Sequence, residues 1–364
     1  MVRLQWFRFS LLIVVGAALS LTPALAAPAA SAPSPFTVTD ALGRKVSFAK
    51  PPQRVAIAGR GLFMISDAAY LFPEAAQRLV ALGPLMGSGR DFLPLVDAKL
   101  GTKLLLDPGA GAEQIVPSRP DVVILKSGMA LNLGPTLERL KIPVVYVDLE
   151  TPPQYERDLR VLGQILQDPG RAEAVCRYYQ EQAARVQKAV AGIPEAHKPR
   201  VLVLQCGSKS SEVGFSVPAA SWIQTTMVTL AGGIPVWTEA SKGAGWTVVS
   251  LEQIAAWNPD QVYVVRYRGN VQGFVAKLRA NPQWQALKAV KQGKLFGFPA
   301  DFSSWDQPDT RWPLGLLWLA ARIHPERLGS VRMADEVARF YTELYGLPPD
   351  VIRGKVMPLL QGRL

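Results

Sequence analysis

One stretch of this chain occurs twice. Residues 113–125, EQIVPSRPDVVIL, align without gaps to residues 252–264, EQIAAWNPDQVYV, with six of thirteen positions identical at an offset of 139. In each copy a short helical run meets Pro-Asp, which ends it, and an apolar, β-branched run follows that reads as a buried strand. A second pair sits at a similar offset: RVAIAG begins at Arg54 and RVLVLQ at Arg200. Repeats of roughly 20 to 50 residues stack into solenoids, whereas a period near 140 predicts two similar lobes in one chain. The 364 residues are enough for both, at roughly 150 residues per domain.

Between the copies the pattern alternates. Strands are expected at 55–58, 79–82, 122–125 and 144–147, then at 201–204, 262–265 and 295–298, with helical stretches between them and closing helices at 314–323 and 331–345. Such alternation predicts an α/β fold with parallel-sheet cores. Residues 36–48, FTVTDALGRKVSF, read as a hairpin at the head of the first lobe. Residues 171–191 contain neither Gly nor Pro, and their apolar positions Ala172, Val175, Tyr179, Ala183, Val186 and Val190 mark one helical face. An unbroken helix of that length is a stiff connector, so the expected organisation is a first lobe at 36–168, a bridging helix at 169–192 and a second lobe at 193–364, with a ligand cleft between the lobes.

The chain begins with a cationic stretch, an eleven-residue apolar run at 11–21 and small residues at Ala24 and Ala26. That order reads as a secretory signal peptide over 1–26, followed by an Ala/Pro/Ser-rich lead-in at 27–35. Cleavage after Ala26 removes Arg3 and Arg8 and lowers the formal charge from +11 to +9, so the basic excess belongs to the exported protein. Cys176 and Cys206 then reach an oxidising space, where a disulfide and two buried thiols are both open.

Taken together, TVTDALGRKVSF followed by PPQRVAIAG, the two Glu-Gln-Ile/Pro-Asp units, LAGGIPVW at 230–237 and the bridging helix resemble the helical-backbone (class III) periplasmic substrate-binding proteins of ABC importers. That class serves ferric siderophores, haem and vitamin B12. The resemblance implies a ligand held between two rigid lobes, small closure, and delivery to a membrane permease whose partner ATPase drives import. It also implies docking through one acidic residue per lobe. Asp67 stands where the class usually has Glu, with Glu74 as a nearby alternative, while the corresponding second-lobe position is Thr229, which carries no carboxylate. The chain is expected to work as a monomer.

In open α/β sheets ligands bind beyond the carboxyl ends of the strands. Candidate ligand residues are therefore Arg60, Arg90, Lys126 and Glu150 on the first lobe, and Ser208, Lys209, Arg266, Tyr267, Arg268 and Trp305 on the second, with Trp246 as a further flat wall. Basic residues with interleaved aromatics suit an anionic, flat ligand, because guanidinium forks hold carboxylate, catecholate or phosphate oxygens in pairs. Trp312 and Trp318 are expected in the core, and Asp309 or Thr310 is expected to cap the helix that follows. The leading expectation is an anionic iron chelate, with corrinoid, haem or an oxyanion such as molybdate as alternatives.

Only two His occur, His197 and His324, and both are expected at the surface. A His-rich metal centre is thus arithmetically impossible, and any metal should arrive inside its chelator, with no cofactor of the protein's own. Haem would need an axial Tyr or His, for which Tyr267 is the strand-end candidate. A secreted hydrolase is the rival class, but no GxSxG nucleophile elbow occurs. Nucleic acid is not an expected partner, since the basic residues are scattered rather than gathered on one helix.

Overall fold

The computed structural model describes residues 1–2, 35–83, 92–107, 109–209, 212–243 and 245–362, with the side chains of 208, 209, 212 and 213 excepted. All but the first two residues of the expected signal peptide and nearly all of the lead-in, together with Arg90 and the side chains of Ser208 and Lys209, lie outside them. Residues 35–364 form one compact unit.

That unit is built on two large sheets and a separate two-stranded one. Strands β1 (Phe36–Thr39) and β2 (Lys45–Phe48) pair as the expected hairpin. Its turn is closed by Asp40, whose carboxylate accepts from the amides of Leu42 and Arg44 at 3.0 Å each, while Gly43 supplies a φ of 74°. Strands β3 (Val55–Ile57), β4 (Leu79–Leu82), β5 (Leu104–Leu105), β6 (Val122–Lys126) and β7 (Val144–Val147) make a parallel sheet in the order β5-β4-β3-β6-β7. The second sheet contains β8 (Arg200–Lys209), β9 (Glu212–Val217), β10 (Ile234–Pro235), β11 (Thr247–Val249), β12 (Gln261–Val265) and β13 (Leu295–Gly297). Its parallel core is β10-β8-β12-β13, and antiparallel β9 and β11 extend it beside the carboxyl half of β8. The β8–β9 hairpin is the main element that the alternation pattern did not predict.

The sequence repeat is a structural one. In the first copy Asp121 accepts from the amides of Gln53 and Arg54 at 2.8 and 3.0 Å, and its own amide donates to the Arg54 carbonyl at 2.7 Å. The second copy repeats this: Asp260 accepts from the Arg200 amide at 2.8 Å and donates back to the Arg200 carbonyl at 2.8 Å. Each Pro-Asp therefore anchors its strand to the start of the neighbouring one, β6 to β3 and β12 to β8. Arg119 and Asn258, two residues before each Asp, both adopt left-handed backbone, with φ of 47° and 45°.

A helix spanning Pro169–Val190 runs between the sheets in sequence, 22 residues long or about 33 Å at 1.5 Å per residue. Asp168 caps it by accepting from the Arg171 amide at 2.8 Å, and Pro169 occupies the first turn, where a missing N–H costs nothing. Its buried residues include Ala172, Val175, Tyr179 and Val186 of the expected face. They pack on the helices Pro152–Leu166 and Trp312–Ile323, one after each sheet. Arg171 adds a cross-tie, donating to the Leu71 carbonyl at 2.8 Å and to those of Glu343 and Leu344 at 3.0 and 2.6 Å.

Both cysteines are free and buried. No helix among the described residues is long and apolar enough to cross a membrane.

Candidate functional site

On the first sheet the strand order reverses at β3, so the loops after β3 and β6 diverge and leave a crevice between them. Gly59 and Gly61 take φ of 86° and 67°, and exposed Arg60 stands between them. A Cβ on Gly61 would lie 3.2 Å from Lys126 Cε, so the loop holding Arg60 and the end of β6 share one spot. Lys126 is already engaged there: its Nζ donates to Glu150 Oε1 at 2.7 Å and to the Asp148 carbonyl. Of the expected first-lobe residues, Arg60, Lys126 and Glu150 thus come together, with the Lys126 charge neutralised and the Arg60 side chain exposed.

On the second sheet three aromatic rings meet beyond the strand ends. Trp246 packs edge-on against Trp222 at 5.6 Å between centroids and against Tyr267 at 6.2 Å. All three are partly exposed. Trp222 was not among the expected residues; its only sequence signal was its place directly before the helix Ile223–Leu230. Tyr267 is fixed by Asp306, whose fully buried carboxylate accepts from Tyr267 at 2.9 Å, from Ser304 Oγ at 2.5 Å and from Gln224 Nε2 at 3.2 Å. Burial raises the Asp306 carboxyl above its ordinary range against the pull of those donors. Burial also raises the Tyr267 phenol well above its usual value, and the Asp306 charge adds to this. A phenol so held is a poor axial ligand for haem. Arg266 lies half-buried with its guanidinium 4.8 Å from the Phe274 ring centroid, and Arg268 is exposed.

Residues 301–312, the segment after β13, touch the first sheet's side of the molecule through Arg311. Arg311 is fully buried and donates through Nη1 to Asp67 Oδ2 at 2.7 Å and to Asp309 Oδ2 at 3.3 Å. Its Nε lies 2.8 Å from Asp301 Oδ1 and donates to the Tyr341 hydroxyl at 3.0 Å. Asp67 belongs to the helix Leu62–Ala69 after β3, so this ion pair crosses from one sheet's lobe to the other. Beside it, Tyr155 of the helix after β7 packs against Trp312, 6.4 Å between centroids.

Four expectations are corrected here. Trp305 is 0% exposed, with its backbone carbonyl packed so closely on the helix Trp312–Ile323 that only Gly fits at 315, and so it is no wall of an open cleft. Asp67 is 6% exposed and paired to Arg311, so it cannot reach a permease without breaking a buried ion pair. Its alternative, Glu74, is only half-buried. His324 is buried and sits 3.1 Å from the Gly232 carbonyl through Nε2, whereas His197 is exposed as expected. Neither Asp309 nor Thr310 makes a side-chain cap on the first residues of the helix Trp312–Ile323; Asp309 instead accepts from the Arg311 amide at 2.7 Å, one residue earlier. Trp312 and Trp318 do lie in the core.

Comparison with known proteins agrees with this architecture. The family model described as "Periplasmic binding protein" matches residues 95–302, more than half of the chain. The molybdate-binding protein MolA of Haemophilus influenzae is 29% identical over 102 residues, a match covering 28% of this chain and 28% of that protein. The vitamin B12-binding protein of Pectobacterium atrosepticum is 23% identical over 217 residues, covering 55% of this chain and 75% of the relative. Among solved structures, a periplasmic solute binding protein from Veillonella parvula superposes with a TM-score of 0.70 at 24% identity, covering 89% of this chain and 97% of the other. Molybdate-bound MolA superposes with a TM-score of 0.67 at 19% identity, over 85% of this chain and 98% of that one. With two parallel-sheet cores and a long helix between them in sequence, and with the family model matching more than half of its length, the chain belongs to the periplasmic binding protein family.

Proposed function

We propose that this protein is the periplasmic substrate-binding component of an ABC importer, and that it captures an anionic metal chelate of the ferric-siderophore kind between its lobes. The observation that carries the reading is the ring cluster Trp222, Trp246 and Tyr267, braced by Asp306 and adjoined in sequence by Arg266 and Arg268. Flat rings suit a catecholate or macrocycle, and guanidinium groups suit its charge. Charge-assisted hydrogen bonds contribute roughly 1.5 to 3 kcal/mol each, so two or three approach the roughly 8 kcal/mol of micromolar binding. The metal arrives with the ligand, the protein acts as a monomer, and its role is capture and hand-over to a permease and its ATPase. Glu74 is the first-lobe residue left for that docking.

A second reading, an oxyanion such as molybdate, draws support from the match to the Haemophilus protein and from the same arginines. Corrinoid and haem are further alternatives; the hydrogen bond from Tyr267 to Asp306 weighs against haem.

Purification from the native periplasm followed by absorbance spectroscopy tests the proposal. A ferric-catecholate charge-transfer band supports it, whereas corrinoid or Soret bands replace it with those ligands. Titration of the ligand-free protein with a ferric catecholate and with molybdate, followed by tryptophan fluorescence, separates the two main readings; tight binding of molybdate alone overturns the chelate.

A further inference from the structure

Arg311 is the one buried cation in a group of three aspartates, and its neighbours come from every part of the fold. Asp301 and Asp309 share its loop after β13. Asp67 faces it from the helix Leu62–Ala69 of the other lobe. Tyr341 and Tyr345 face it from the helix Met333–Tyr345: the Tyr341 hydroxyl accepts from Nε and donates to Asp301 Oδ2 at 2.8 Å, while that of Tyr345 donates to the Asp67 carbonyl at 3.0 Å and pairs with Thr310 Oγ1 at 2.7 Å. Tyr179 of the bridging helix donates to the Thr310 carbonyl at 3.0 Å, and the buried Tyr155 ring packs against Tyr179 and Trp312 beside it. With all three aspartates ionised, this buried cluster would carry a net charge of two negatives.

The geometry within the cluster is specific. Asp67 and Asp309 both touch Arg311 Nη1, so their carboxylates are close neighbours across the lobe boundary. When Asp67 is ionised and Asp309 is not, the guanidinium ties the lobes together. Once Asp309 also ionises, two like charges face each other where the lobes meet, and the tie is opposed by repulsion in a medium that screens it poorly.

We propose that Arg311, shared between Asp67 and Asp309, is the positioning residue that sets the spacing of the lobes, and that the protonation of Asp309 decides how firmly it does so. The lobes are held at one separation while Asp309 is neutral and are released to a wider range when it is charged. Burial pushes the Asp309 carboxyl up to about 7, with Arg311 pulling it down and the Asp67 charge raising it, which puts the change near neutrality. Asp67 is raised by burial as well, against the same Arg311, whose Nη1 it meets at 2.7 Å compared with 3.3 Å for Asp309. The inference concerns the ligand-free protein and stands independently of which ligand the cleft takes.

Two exposed side chains, one per lobe, serve as reporters: Leu131 is 93% and Val248 is 78% exposed. Burial raises the thiols of Cys176 and Cys206 to about 11 and about 12, so spin labels at neutral pH go to Leu131→Cys and Val248→Cys alone. Double electron–electron resonance on the full ligand-free chain should give one narrow distance distribution at pH 5.5 and a broader, longer one at pH 8.5, with a midpoint near 7. Adding Asp309→Asn should keep the narrow distribution at pH 8.5, and Asp67→Asn should give the broad one at both pH values. If Asp67→Asn does not fold, the uncharged, nearly isosteric Asp309→Asn still decides. A wild-type distribution that is the same at both pH values, or an Asp309→Asn protein that broadens with pH as the wild type does, overturns the proposal.

Discussion

Tyr267 donates its phenolic hydrogen to Asp306 Oδ2 at 2.9 Å, and through that bond a fully buried carboxylate fixes one face of a partly exposed aromatic cluster. Removing the hydroxyl leaves Asp306 with Ser304 and Gln224 alone. Tyr267→Phe should therefore lower unfolding stability by about 1 to 3 kcal/mol in denaturant titration and weaken binding of a flat ligand. Unchanged stability would mean that the bond contributes nothing net.

Arg60 and Arg266 stand at strand ends on opposite lobes, and Arg60 is exposed. Arg60→Ala and Arg266→Ala should each weaken binding of an anionic ligand by about 1.5 to 3 kcal/mol, roughly ten- to a hundredfold, in calorimetric titration. Affinity unchanged in both would sink the anionic-cleft reading.

Trp246 and Trp305 make an instructive contrast. Trp246→Ala should reduce affinity and change the fluorescence response to ligand, because the ring is partly exposed beside Trp222 and Tyr267. Trp305→Ala should instead cost about 3 to 5 kcal/mol of stability, as expected for emptying a fully buried site.

Stability should depend on pH with a defined sign. The Asp309 carboxyl is raised to about 7 in the folded protein, above its unfolded value of about 3.9, so the folded state binds the proton more tightly. Its contribution is fully present below the unfolded value and is lost as pH rises through about 7, a span of up to about 4 kcal/mol. Asp306 and Asp158 are also raised by burial and act in the same direction. Denaturation midpoints should fall between pH 5 and pH 8, less steeply in Asp309→Asn.

Neither thiol should react with a disulfide reagent in the native protein at pH 8, since burial raises both well above that value. Two thiols should titrate on denaturation without reductant; none would mean a disulfide in place of the free cysteines.

Pattern and local chemistry made the scaffold legible. The repeat named two equivalent strand pairs because Pro-Asp does the same hydrogen-bonding work in each, with Asp121 and Asp260 anchoring neighbouring strands. A run without Gly or Pro named the bridging helix because helix propensity and a one-sided apolar face are read along the chain. The β8–β9 hairpin was missed since strict alternation predicts parallel partners, and an antiparallel extension on the same sheet edge leaves no mark in that pattern.

The site was legible only by position. That Arg60, Lys126, Arg266 and Tyr267 sit at strand ends follows from sequence order and the rule for open sheets. Which of them is engaged elsewhere does not, because Lys126 meets Glu150 and Tyr267 meets Asp306 across 24 and 39 residues. Sequence placed Trp305 as a cleft wall in the loop before a helix, whereas packing within its own lobe buries Trp305 and Asp306, and Arg311 is buried where its loop meets Asp67 of the other lobe. The sequence by itself thus determined the strands, the helices and their order, since these depend on neighbours along the chain. Tertiary structure alone decided which charges are buried and paired, because the partner that Arg311 finds in Asp67 lies 244 residues away and reaches it only when the lobes meet.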